Sequence, residues 1–298
     1  MAIIAIGISG ALMLANLVRS LLPASSLVDN LSARIQSWWR IAVVLALASL
    51  AGQIGFLVLF AAVSFMALRE FSAVAVSHPT DRHVSAACFF VLLPVQYALA
   101  GTGNVVLFTS IVPLTSVALV PVFTALTADS HAYLARVSER IFAIVVCIYC
   151  LSYVPALLTL PVAQDGAQLP LFLILITQVS DVLQYIWGKA VGAHLLAPHV
   201  SPSKTVEGLI GGIGCATALG AALSWMTPFG AVHAAAIAFL ISLTGFLGGF
   251  VMSAIKRDFG TKDWSGLLPG HGGILDRVDS IWLSAPVYFY VVRALAVK

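Results

Sequence analysis

The sequence predicts an all-α fold: a polytopic integral membrane helical bundle. Three observations carry that reading. Apolar runs of about 20 residues recur along the chain, each long enough to cross the hydrocarbon of a bilayer. Of the 298 residues, 60% are hydrophobic and 9% charged, with mean hydropathy +1.03. The basic residues also crowd into alternate loops. A soluble domain is nearer half apolar and a quarter charged, so lipid must cover part of this surface. The composition excludes a cytosolic globular enzyme, a disordered chain and a secreted disulfide scaffold. A net charge of +3 with no basic face excludes nucleic acid as a partner and leaves the lipid bilayer.

Taken in order, the predicted spans lie near 3–22, 84–101, 104–127, 139–160, 169–188, 206–226, 229–254 and 280–296. The first lacks a basic leader and is interrupted by Asn16 and Arg19, so it reads as a retained span rather than a signal peptide. The stretch 41–71 would make roughly 46 Å of helix, too long for one upright crossing. Gly52, Gln53 and Gly55 mark a tight turn in its middle, which divides it into a hairpin of two short spans. The count is then about nine transmembrane helices, or eight if 41–71 is a single span. With the hairpin, 13 of the 15 Lys and Arg residues fall on one side, which the bias of basic residues assigns to the cytoplasm. Only Arg293 and Lys298 lie opposite, and both termini are placed outside. Cys88, Cys147, Cys150 and Cys215 all sit inside spans, without metal-site spacing. The chain reads as one membrane domain, 1–298, with N-terminal spans over 1–170. A C-terminal catalytic region, 171–298, carries loops 189–205 and 255–279.

Acidic residues are sparse. Asp181 lies inside the span 169–188, where a carboxylate is costly and marks a functional site. Helical spacing sets Gln178, Asp181, Gln184, Tyr185 and Gly188 on one stripe. The following loop, Ser201-Pro-Ser203-Lys204-Thr205-Val-Glu207-Gly208, can cap the next helix or serve as a phosphate site built from hydroxyls, one ammonium and helix amides. The densest cluster is the last cytoplasmic loop. Lys256, Arg257, Lys262 and Arg277 stand there against Asp258, Asp263, Asp276 and Asp279 within 24 residues of an otherwise nearly uncharged chain. His271 lies among Gly270, Gly272 and Gly273, which let backbone amides approach a ligand. Lys and Arg suit phosphate oxygens, and Asp carboxylates suit Mg²⁺. These features describe a polyphosphate and divalent-metal site at the membrane surface. No Ser-His-Asp order or Walker-type loop is present.

Ser253 to Asp279 resembles the signature of the CDP-diglyceride synthetase (phosphatidate cytidylyltransferase) family at every fixed position. That signature runs Ser-x-apolar-Lys-Arg-x4-Lys-Asp-x-small-x2-apolar-Pro-x-His-Gly-Gly-apolar-x-Asp-Arg-apolar-Asp. The Ser201–Gly208 loop and Asp181-x3-Tyr185-x2-Gly188-Lys189-x2-Gly192 are similar to the family too, and Arg69-Glu70-Phe71 is a fainter likeness. The resemblance covers roughly 175–290. Gln184, Ser203 and Val206 depart from residues common in the family.

The resemblance implies transfer of the cytidylyl group from CTP to phosphatidate, giving CDP-diacylglycerol and pyrophosphate in phospholipid biosynthesis. It implies Mg²⁺, with a second cation left open, on Asp181, Asp263, Asp276 and Asp279. It gives catalytic roles to Asp263, Asp276, Arg277, Lys262 and His271. Substrate binding would fall to Ser201, Ser203, Lys204, Thr205, Lys256, Arg257, Gly272 and Gly273. It places the enzyme in a bacterial inner (plasma) membrane with the site on the cytoplasmic side; a homodimer stays open. Alternatives are a cytidylyltransferase for another phospholipid acceptor, a CTP-dependent polyprenol-type lipid kinase, and a transporter or scaffold. The absence of an internal repeat counts against the last.

Overall fold

The computed structural model describes residues 39–75, 82–163, 166–267 and 272–296. The predicted first span, with its signal-peptide alternative, and His271 lie outside these residues. The described chain is helical apart from one short two-stranded ribbon, which the all-α expectation did not include. The helices are α1 (Trp39–Leu50), α2 (Gly52–Val74), α3 (Arg82–Gly101), α4 (Val105–Ala125), α5 (Tyr133–Thr159) and α6 (Gln168–Val191). Strands β1 (Leu195–Ala197) and β2 (Ser201–Thr205) follow, then α7 (Val206–Ala222), α8 (Ala231–Asp258), the short α9 (Leu275–Val278) and α10 (Ile281–Ala296). Among the described residues six helices, α2 to α6 and α8, are long and apolar enough to cross a membrane.

The break in 41–71 falls where its glycines predicted. Gly52 has φ +61°, a left-handed conformation that glycine takes without steric cost, and it ends α1 and starts α2. The chain turns so sharply that a Cβ on Gly55 would stand 2.3 Å from the Ala48 carbonyl oxygen.

Which helices face lipid follows from burial. In α5, 72% of the most apolar window is buried, against 22% in α4. The first is the centre of the bundle and the second its wall, with Val106, Leu114 and Leu126 each more than two-thirds exposed. Pro113 inside α4 leaves the Thr109 carbonyl without its helical donor. The Tyr149 hydroxyl of α5 donates to that carbonyl at 3.2 Å, so the neighbouring helix supplies the missing bond.

The C-terminal half packs more tightly. α7 lies against both α6 and α8, and α10 packs on α8. Thr205 caps α7: its Oγ1 accepts from the Gly208 amide at 3.1 Å. The antiparallel ribbon pairs Leu195 with Thr205 and Ala197 with Ser201, and hooks the 193–205 connection back over the α6–α7 junction. Glu207 fastens the other side by accepting from the Ala193 and His194 amides at 3.1 and 3.2 Å.

Small residues let α7 and α8 touch. A Cβ on Gly220 would meet the Ala238 Cβ at 2.1 Å, whereas Gly214 on the same helix has nothing within 4 Å. Gly220→Leu should therefore destabilise the bundle by about 1–3 kcal/mol. Gly214→Ala should leave it unchanged or slightly firmer. Thermal melts of the two variants in one detergent check this contrast.

Candidate active site

The charged ends of several elements meet at one end of the bundle. The C-terminal parts of α2, α6 and α8 come together with the starts of α7 and α10, the strand β2 and residues 264–267 and 272–279. A cavity of about 280 Å³ opens there, and its lining includes Asp181, Gln184, Tyr185, Ser203, Lys204, Thr205, Ser253, Asp276, Asp279 and Ser280. The helical stripe expected on α6 is the wall of this cavity: Asp181, Gln184 and Tyr185 line it. Gln178, at the other end of the stripe, donates to the Arg277 carbonyl oxygen at 3.3 Å.

Asp276 organises the loop below the cavity. Its Oδ1 accepts from Lys256 Nζ at 2.8 Å, with 11% and 6% of the two side chains exposed. Its Oδ2 accepts from the backbone amides of Trp264 and Gly273 at 3.0 and 2.8 Å. Gly272 has φ +73°, and a Cβ on it would stand 2.6 Å from Asp276 Oδ2, so the turn closes around the carboxylate only with glycine there. A desolvated pair of this kind is costly to break, because removing one partner strands the other charge.

On the opposite wall the Ser280 hydroxyl donates to Asp181 Oδ2 at 2.8 Å and lies 3.4 Å from Asp279 Oδ1. Two carboxylates thus meet at one hydroxyl, near an ammonium. Lys204 Nζ sits 4.5 Å from the centre of the Phe246 ring and 5.8 Å from that of Phe250. The grouping around Gly249 is close. A Cβ there would be 3.6 Å from Lys204 Nζ, 3.2 Å from Ser280 Oγ and 4.0 Å from Asp279 Cγ. Burial, and then the neighbouring Asp181 carboxylate, push the Asp279 carboxyl up to about 7, while Lys256 and Lys204 pull the other way. Burial also holds the Lys204 ammonium below its ordinary range, against the attraction of Asp181 and Asp279. Carboxylates crowded together want a cation.

The sequence-predicted residues therefore separate. Asp181, Asp276, Asp279, Lys204, Ser203 and Thr205 share the cavity lining, and Lys256 joins them through Asp276. Ser201 is buried in the ribbon, and Arg277 sits half-buried on α9. Arg257, Lys262 and Asp263 are exposed and outside the cavity lining, and Arg257 Nη1 donates to the Thr261 carbonyl at 2.9 Å. The four proposed metal carboxylates do not close into one cage: among the described residues no three His, Cys, Asp or Glu side chains form a ready metal cluster. The pair Asp181 and Asp279 retains the donor chemistry that a hard divalent cation takes.

The structure adds two residues to the site, Ser280, and Glu70, which the sequence marked only through the fainter Arg69-Glu70-Phe71 likeness. Ser280 directly follows the loop pattern and joins Asp181 to Asp279. Glu70 ends the apolar run of α2 and is 5% exposed. Its carboxylate accepts from Ser265 Oγ at 2.7 Å, the Ile274 amide at 2.9 Å and the Leu275 amide at 2.8 Å. The signal was available: a carboxylate at the end of a 23-residue apolar helix invites the same question as Asp181.

Comparison with known proteins places the chain among relatives. The uncharacterized protein YnbB of Escherichia coli (strain K12) is 38% identical over 266 residues, 87% of this chain and 86% of that protein. Phosphatidate cytidylyltransferases of Staphylococcus aureus (strain COL) and Staphylococcus saprophyticus are 40% and 39% identical over 125 residues. The match covers 41% of this chain and 48% of each of those two proteins. The pattern of the cytidylyltransferase family fits residues 32–295, nearly the whole described bundle and every residue of the cavity, so this membrane chain belongs to the cytidylyltransferase family of nucleotidyltransferases.

Proposed function

We propose that the chain transfers the cytidylyl group of CTP to phosphatidate at the cytoplasmic face of a bacterial inner membrane. A phosphate oxygen of phosphatidate attacks the α-phosphorus of CTP, the bond to the β-phosphate oxygen breaks, and pyrophosphate leaves. The observation that supports this reading best is the juxtaposition of Lys204, Asp181 and Asp279 in one cavity at the charged end of an apolar bundle. The named Staphylococcus relatives suggest phosphatidate as acceptor, and the crowding of basic residues on one side suggests the cytoplasmic face.

The attacking group is already an oxyanion, so no strong base is needed. The obstacle is the approach of two polyanions. Lys204 supplies a fixed positive charge, held against the Phe246 ring. Ser203 and Thr205 line the same space with hydroxyls that can donate to phosphate oxygens. Lys256 is held in place by Asp276 at the rim of this cavity. Asp181 and Asp279 would hold Mg²⁺, with Ser280 fixing the relative orientation of the two carboxylates. When bound, the ion would neutralise phosphate charge and align the triphosphate for in-line displacement.

Purified protein in detergent, given CTP, phosphatidate and Mg²⁺, should release pyrophosphate in a lipid-dependent manner. Release of CDP instead would replace this reading with a lipid kinase. Asp279→Asn and Asp181→Asn should each lower turnover roughly 10²-fold with the protein still folded. A wild-type rate in either would remove it from the site.

Lys204→Ala should raise the KM of one substrate about 10- to 100-fold, the size expected for a lost charged contact to phosphate. Steady-state kinetics with each substrate varied in turn would identify which one it holds. An unchanged KM for both would reduce β2 to a helix cap.

A further inference from the structure

Two carboxylates, far apart in the chain, hold Trp264, Ser265 and residues 273–275. Asp276 takes the amides of Trp264 and Gly273. Glu70, on α2, takes the next two amides, Ile274 and Leu275, and the Ser265 hydroxyl. Those two amides precede and open the short α9, where backbone donors lack helical partners. The fit leaves no slack: a Cβ on Gly273 would stand 2.4 Å from Glu70 Oε2. The next residue on α2 grips the same loop by its ring. Phe71 stacks on Trp264 at 5.1 Å with an interplanar angle of 23°, and meets Phe259 edge-on at 6.1 Å. Glu70 itself does not line the cavity.

We infer that Glu70 is a positioning residue for the transfer reaction: by fixing the Ile274 and Leu275 amides it sets where Asp276, and through it Lys256, stand at the cavity. Asp276 lies one residue beyond Leu275, so a shift of the Glu70-bound amides moves its Cα directly. Asp276 must then either lose the Trp264 and Gly273 amides or release Lys256. Displacements of about 1 Å in a positioning shell cost on the order of 10²-fold in rate. The inference rests on the cytidylyl-transfer reading, and the test separates the two.

The test uses the full chain in detergent, with pyrophosphate release from CTP and phosphatidate as the rate and wild type measured first. No release from folded wild type would sink the transfer reading itself. With an active wild type, Glu70→Ala should lower kcat about 100-fold and leave the KM for CTP within threefold. Glu70→Gln keeps one acceptor oxygen and should fall between the two. Hydrogen exchange should quicken across 264–276 in Glu70→Ala and stay unchanged in α8 and α10. Gly273→Ala, which pushes on the carboxylate from the loop side, should reproduce both effects while Glu70 is still present. A wild-type kcat in folded Glu70→Ala would overturn the inference. So would exchange that quickens equally throughout the bundle, since that marks general loosening. If Glu70→Ala does not fold, Ser265→Ala, which removes one of the three donors, carries the same test. Its kcat should fall at least threefold with unchanged KM, and an unchanged kcat would overturn the inference.

Discussion

Asp276 accepts from an ammonium and two backbone amides at once, and the arrangement of this end of the bundle depends on those bonds being made together. The Lys256 charge is nearly withdrawn from water, and the carboxylate is what makes its burial tolerable. The Trp264 and Gly273 amides, nine positions apart in the chain, are bound to the same oxygen. Remove the carboxylate and three donors lose their acceptor simultaneously, with the ribbon, α8 and α10 left to hold an opened mouth.

The rest of the site is a balance of like and unlike charge. Asp181 and Asp279 repel, yet both are drawn to Ser280 and to the ammonium on β2. The Lys204 ammonium also lies over two phenylalanine rings, which attract a cation without neutralising it. Like charges held this close favour a cation that neutralises them, a need that the proposed Mg²⁺ would meet.

The fold was legible because lipid imposes length and composition on every crossing. Six long helices, the break at Gly52 and the cap at Thr205 stand where apolar runs, glycines and hydroxyls placed them. The ribbon 195–205 was not legible, since five residues containing Pro202 carry no strand alternation, and their pairing is set by the hook over α6 and α7. In the site, Asp181 was legible from its depth in a span, and the loop from its charge density. Which loop charges face inward was not. Sequence spacing cannot tell the buried Lys256 from the exposed Arg257 beside it, because that choice is made by which face of α8 meets Asp276. Glu70 was marked by the Arg69-Glu70-Phe71 likeness, but its role was not legible: its partners lie about 200 positions away, and no local pattern reports a contact of that span.

That span has a consequence for how the protein is made. The ribosome finishes α2 well before it reaches residue 275, a gap of 205 residues, or about 10–40 s of synthesis. Throughout that interval Glu70 sits at the end of a membrane helix with none of its three final donors yet in existence. The carboxylate can take its buried position only when those donors arrive. Closing this end of the bundle therefore waits for residues 265–275, and a chain truncated before them would carry Glu70 without its backbone partners.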